Sequence, residues 1–273
     1  MELIVLASGR RTAHCRDMTS RSEIILHSRD AQDLVAGEIV TVAPERRWHR
    51  GGHDHVSGEV TGRRLDVKAL ELTPLRLMDR GTWDPAEEYW GEEGEPLDAW
   101  ARAIIAFGPR PSFEMEQVLP GADPEDWEAD PILDACELNA AGDRVGAREI
   151  LNGLLAADLR CLDAHAHLGN FTFDHDTERA LRHYEVGVGI GEITLGEGFG
   201  GCLLWVHVDN RPFLRCLHGL GLSLWRLGRP HEAAPVFERM LWLNPTDNQG
   251  SRYLLPAARA GDPWPEDKAD PVR

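Results

Sequence analysis

Apolar residues in the first 78 positions fall in short, β-branched runs: Leu3-Ile4-Val5-Leu6, Ile24-Ile25-Leu26, Ile39-Val40-Thr41-Val42, Val56 to Val60 and Leu65 to Leu77. Turn-forming pairs separate them, among them Ser8-Gly9, Ala36-Gly37, Gly51-Gly52 and Thr61-Gly62. Short strands at this spacing, punctuated by glycine, predict a small all-β barrel or sandwich over residues 1–78. After that the period lengthens. Leu97, Trp100, Ala101, Ile104 and Ile105 recur at helical spacing inside an acidic, aromatic connector over 79–126. Asp84-Pro85-Ala86-Glu87 reads there as a capped helix start.

Residues 127–262 alternate small and large side chains at fixed offsets, and the stretch from Phe213 to Asn248 does so most fully, with Leu220-Gly221, Gly228, Ala233, Phe237 and Pro245. Gly221 and Ala233 are small where two antiparallel helices would cross, and Phe237 fills the space beneath them. Gly228 suits the left-handed end of one helix and Pro230 the first turn of the next. Pro245 stops that helix, and Thr246 with Gln249 forms a capping box for another. This pattern resembles the tetratricopeptide repeat, whose period is about 34 residues.

Two further copies precede it. Ala135, Gly142, Ala147, Leu151 and Leu154 place one over 128–161, with Asp123-Pro124-Glu125-Asp126 as a helix start before it. Leu168-Gly169, Ala180, Tyr184 and Gly187 place the next directly after. An insertion near 192–211 separates it from the third copy, the segment from Asp247 to Ala260 forms a terminal helix, and 263–273 is a tail. The fold class expected is thus α+β multidomain: a small β barrel or sandwich followed by a helical-hairpin solenoid.

The resemblance implies a protein- or peptide-binding adaptor or scaffold that works through its concave groove, without an enzymatic task or a cofactor. Groove positions carried over from the repeat are Arg215, His218, Leu222, Trp225 and Arg226 in the third copy. In the second they are Asp163, Ala166, Asn170, Phe173 and Asp174, and in the first Ala129, Ile132, Cys136, Asn139 and Ala140. Of these, Asn139, Asp163, Asn170, Arg215, His218, Trp225 and Arg226 have the polar or aromatic character to grip a partner. The lysine that carboxylate-clamping repeats use is missing.

Composition narrows the class. No apolar run reaches about eighteen residues, so no membrane span is expected. Met-Glu-Leu-Ile-Val-Leu carries an acid and no basic flank, which argues against a secretory signal. Five cysteines, with no short paired spacing, read as reduced thiols of a cytoplasmic protein. The net charge of −17 opposes nucleic acid as a partner. Yet the charge is uneven: residues 1–78 carry 12 basic and 11 acidic side chains, whereas the remaining 195 carry 17 and 35.

The basic loop from Arg46 to His55 is where other chemistry could sit. His49, His53 and His55, with Asp54, offer imidazole and carboxylate ligands for a metal, as in a metal-dependent enzyme. Three arginines and Trp48 in the same loop suit a nucleic-acid-binding regulator. The acidic connector, eight acids against one arginine from Asp79 to Asp98, is read as a helix covering the open end of the solenoid or the barrel, with docking against this basic loop as the alternative. A second cluster, Cys161, His165, His167 and His175, is read as core because His165 falls at a position that packs within its hairpin. The insertion holds Gly196-Glu197-Gly198-Phe199-Gly200-Gly201 but no P-loop lysine or dinucleotide fingerprint, and is expected as a lid over the groove.

Overall fold

A computed structural model of the chain describes residues 1–91, 95–122 and 129–265. Five strands close into a barrel: β1 (Glu2–Ser8), β2 (Thr12–Asp17), β3 (Glu23–His27), β4 (Ile39–Arg50) and β5 (His53–Arg64), in the order β1-β2-β3-β5-β4. β3 and β5 run parallel, and β4 returns antiparallel to β1. Closure leaves no open sheet edge. Alternate residues point inward, so Leu3, Val5, Ala13, Cys15, Ile24, Leu26, Val40, Val42 and Val56 form the barrel core. β1 reads as an unbroken apolar run because both of its faces are covered. Ile4 and Leu6 point outward and pack with Leu151, Leu155 and Leu168 of the helical region.

The strand set departs from the hydrophobic pattern in two places. β2 has only Ala13 and Cys15 facing inward, too little apolar surface to stand out in the sequence. Leu65 to Leu77, in turn, supplies no barrel strand. There the Asp66 carboxylate accepts from Ala69 N and sets a single 3-10 turn over Val67–Leu70.

The connector is not simply helical. β6 (Leu77–Trp83) pairs antiparallel with β7 (Arg110–Met115), and α1 (Ala99–Phe107) lies between them in sequence. Asp84 caps a 3-10 turn at Pro85–Glu87 instead of opening a helix. Trp83 and Ile104 pack with Cys202, Trp90, Trp100 and Trp242, so the described connector docks on the helical region and not on the basic loop. Arg110 pins this corner: its guanidinium lies 4.2 Å from the Trp242 ring and 5.2 Å from that of Trp83, and Nη1 donates to Trp242 O at 2.8 Å.

Among the described residues seven helices follow: α2 (Pro131–Ala140), α3 (Arg144–Ala157), α4 (Leu162–Thr172), α5 (Thr177–Leu195), α6 (Arg211–Arg226), α7 (Pro230–Leu243) and α8 (Ser251–Ala260). Each of α2/α3, α4/α5 and α6/α7 packs as a pair, and α4 also packs on α6. Aspartate carboxylates cap the starts of α2, α3 and α5, Asp130 on Ile132 N, Asp143 on Gly146 N and Asp176 on Arg179 N. Gly228, at φ 75, takes the left-handed turn between α6 and α7.

The crossings depend on glycine. A side chain at Gly221 would collide with the Phe237 ring, and one at either Gly169 or Gly219 with the Tyr184 ring, so this tyrosine of α5 is wedged between α4 and α6. The barrel is held to this framework by Arg182, whose Nη1 meets the buried Glu38 carboxylate at 2.9 Å. Among the described residues no helix is long and apolar enough to cross a membrane.

Three local expectations need correction or fall away. The Thr246/Gln249 capping box does not form: the Asp247 carboxylate accepts from Ser251 N and Arg252 N at the start of α8, and the Thr246 hydroxyl turns to Asn244 and Asn248. The insertion is no lid over the groove. Its Cys202 bonds to Pro111 O and Phe113 N, and Leu203 N donates to Leu243 O, which stitches it to β7 and α7. Asp123-Pro124-Glu125-Asp126 lies outside the described residues.

Candidate functional site

Residues three, four and seven apart share one face of a helix, which puts Arg215, His218 and Leu222 in a stripe along α6. Asn170 and Phe173, near the end of α4, face the same side. With Tyr184, Gly219 and Gln249 they line a cleft of about 250 Å³. Tyr184 sets its polarity. The buried phenol stays protonated because burial pushes its pKa up, and its hydroxyl donates to Asn170 Oδ1 at 2.7 Å.

That bond orients the Asn170 amide and leaves its Nδ2 without a partner among the described residues. Gln249 Oε1 is buried and likewise unpartnered. Half-buried His218 is held neutral, since desolvation lowers its pKa to about 4. The cleft thus presents the Asn170 Nδ2 donor and the Gln249 Oε1 acceptor, beside the neutral imidazole of His218, between the apolar walls of Phe173, Leu222 and the Tyr184 ring.

The charged groups behind it are already engaged. Asp163 is 6 % exposed. Its carboxylate accepts from Arg215 Nη1 at 3.0 Å and Gln117 Nε2 at 3.3 Å, with His167 Nε2 at 3.5 Å. Burial alone would raise the pKa of Asp163, but His167 and Arg215 hold it below the usual carboxylate range. On its other side His167 Nδ1 lies 3.4 Å from Cys136 Sγ. The thiol-imidazole-carboxylate line looks like an activated nucleophile, but desolvation and the Asp163 charge push the Cys136 thiol up, so it remains protonated at neutral pH.

The other sequence-derived groove residues are placed differently. Trp225 is buried: its Nε1 donates to Asp262 O at 2.8 Å and its ring meets Trp264 edge-on. Arg226 pairs with Asp174 at 2.9 Å and lies over Phe173. The chain's own residues 262–264 therefore cover the far end of the groove. Asn139, near the end of α2, does not line the cleft. Tyr184 and Gln249, which do, fell at packing and capping positions in the sequence pattern, and nothing in that pattern marked them as lining residues.

The histidines of the β4–β5 ribbon do not converge on a metal. Successive cross-strand pairs face opposite sides, so His49, paired with Asp54, points away from His55, paired with Trp48. His49 Nδ1 donates to Asp54 Oδ1 at 2.9 Å. His55 is saturated: its Nε2 donates to Arg50 O, which leaves Nδ1 to accept from His27 Nε2 at 3.0 Å. His53 is exposed near the ribbon tip. Among the described residues no three metal-ligating side chains group together. Comparison of the chain with protein-family models, curated proteins and solved structures finds no match.

Proposed function

We propose that the helical region is a short array of tetratricopeptide-like hairpins and that its α4–α6 cleft receives an extended segment of a partner protein, making the chain an adaptor or scaffold. The observation that carries this reading is the pair of spare groups, Asn170 Nδ2 and Gln249 Oε1, in one open cleft. An extended peptide offers a carbonyl and an N–H at every residue: an N–H would satisfy the buried Gln249 Oε1, and a carbonyl would accept from the exposed Asn170 amide. Size agrees: about 250 Å³ falls short of the roughly 300–1,000 Å³ that encloses a cofactor or metabolite, but accepts a side chain. Three hairpins and a terminal helix also reach the minimum for a stable repeat array. A cytoplasmic setting fits the five free cysteines.

Selection of displayed random peptides on the full chain tests the reading. Selected peptides are expected to lose at least about tenfold in affinity, or 1.4 kcal/mol, against Leu222→Arg and against Asn170→Asp. Tyr253→Ala on the exposed side of α8 leaves them unaffected. Peptides that bind the Leu222→Arg protein as tightly as the parent would sink the cleft assignment.

A further inference from the structure

The arginines of this acidic protein are not evenly neutralised. Among the described residues thirteen arginines have a carboxylate within ion-pair distance, nearly all outside the barrel. Of the described arginines without such a partner eight lie on the barrel, Arg10, Arg11, Arg16, Arg29, Arg46 and Arg50 among them, against five in the rest of the chain. A chain with a net charge of −17 has carboxylates to spare, so a cluster of unpaired guanidinium groups is a feature that the fold maintains.

Their placement follows from the barrel alternation. Residues of β2 to β5 that do not face the core share the outer face, which puts His14, paired with Glu23 at 3.0 Å, and Arg16 beside His27, His55, Trp48, Arg46 and Arg50. In the middle stands an aromatic platform. Trp48 and His55 stack with centroids 5.2 Å apart and planes 8° from parallel, and His27 lies 4.9 Å from Trp48 and bonds to His55. The Arg46 guanidinium sits 5.4 Å from the Trp48 ring. At the His27 end, Arg10 and Arg11 from the β1–β2 turn meet Arg29. With His27, Ser28 and Gln32 these three line an open cleft of about 740 Å³ whose lining holds no carboxylate.

A second cleft of about 480 Å³ shares His27, Ser28 and Arg29 with the first and adds Asp30, Glu45 and Glu59. The two have complementary chemistry. Guanidinium forks match phosphate oxygens, and carboxylates accept from the exocyclic amino groups of bases. An acidic peptide or an anionic membrane would be repelled by the second cleft. The cationic track is also longer than one phosphate, since Arg46 and Arg50 alone are about 13 Å apart along β4 at the rise of a strand.

We infer that this outer face of the barrel binds single-stranded nucleic acid, with Arg10, Arg11 and Arg29 on the phosphates and base edges reaching Asp30, Glu45 and Glu59 beside the aromatic platform. The unfavourable net charge is concentrated elsewhere: residues 79–273 carry 17 basic and 35 acidic side chains. This inference is independent of the α4–α6 cleft.

The test is fluorescence anisotropy of the full chain with labelled twelve-nucleotide single strands of RNA and DNA of mixed sequence. Saturable binding is expected at 50 mM salt, weakening roughly 20- to 50-fold at 200 mM for three to four neutralised phosphates. The triple variant Arg10→Ala/Arg11→Ala/Arg29→Ala, all exposed positions, should bind at least about tenfold more weakly, with the salt slope reduced by about 2. Trp48→Ala should cost at least about fivefold, whereas Arg252→Ala on α8 and Leu222→Arg in the peptide cleft should change nothing. Circular dichroism checks that the variants remain folded. The inference is overturned by absence of saturable binding at 50 mM salt, or by a triple variant that binds like the parent. Arginine-dependent binding to phosphatidylserine vesicles without binding to either oligonucleotide also overturns it.

Discussion

The indole of Trp264 meets that of Trp225 edge-on, with ring centroids 5.5 Å apart. Trp264 also lies 6.0 Å from Phe173, a wall of the α4–α6 cleft, so residues beyond α8 finish a surface that α4 and α6 begin. Trp264→Ala is expected to lower stability by about 1 kcal/mol, the scale of an aromatic pair. A shifted urea midpoint at unchanged m-value is the readout. An unshifted midpoint would mean that the segment merely rests there.

The wedge at Tyr184 makes a sharper demand. Gly219→Ala adds a methyl group where the ring already stands and is expected to destabilise by about 1–3 kcal/mol. Tyr184→Leu removes the obstruction along with the hydroxyl. In the double variant the two penalties should therefore fall short of additivity by at least about 0.5 kcal/mol, measured as a double-mutant cycle. Strict additivity would refute the wedge.

Acid should loosen the helical region before the barrel. His165 and His183 are buried with ring centroids 6.1 Å apart. Burial lowers the pKa of His165 to about 4 and that of His183 well below its ordinary value, with Arg148, Arg179 and Arg182 adding to the latter. His218 behaves like His165. A histidine whose folded pKa lies below its unfolded one leaves stability intact above about pH 6.5 and erodes it as pH falls toward 4, by up to about 1.4 kcal/mol per pH unit. Glu185 and Asp247, raised by burial, have the opposite effect, because protonation relieves them. Urea midpoints at pH 7, 6 and 5 should fall steadily, and His218→Gln should flatten that fall. An identical slope in the variant would show that His218 is not among the groups responsible.

The sequence made some of these features legible and hid others, each for a physical reason. Strands that bury one or both faces, such as β1 and β4, announce themselves through Leu, Ile and Val, whereas β2 turns only Ala13 and Cys15 inward and is silent. Gly221 with Phe237 and Gly169 with Tyr184 were readable because a helix crossing needs a small residue opposite a large one. β6 and β7 were not, since their pairing depends on partners 27 to 38 residues apart. The meeting of Asn170, Phe173, Arg215, His218 and Leu222 on one face follows from helical spacing. The covering of Trp225 and Arg226 does not, because residues 262–264 belong to no periodic element. Parity along the β4–β5 ribbon separates His49 from His55, and it became readable only once the register was known.

Uneven distribution of acidic residues gives the molecule an electrical polarity. One end is close to neutral and keeps bare cations on its outer face, while the rest carries nearly all the excess negative charge. In the field of a polyanion such a body experiences a torque before contact, because its acidic part is pushed away as the barrel is drawn in. Encounters with such a polyanion therefore begin barrel first.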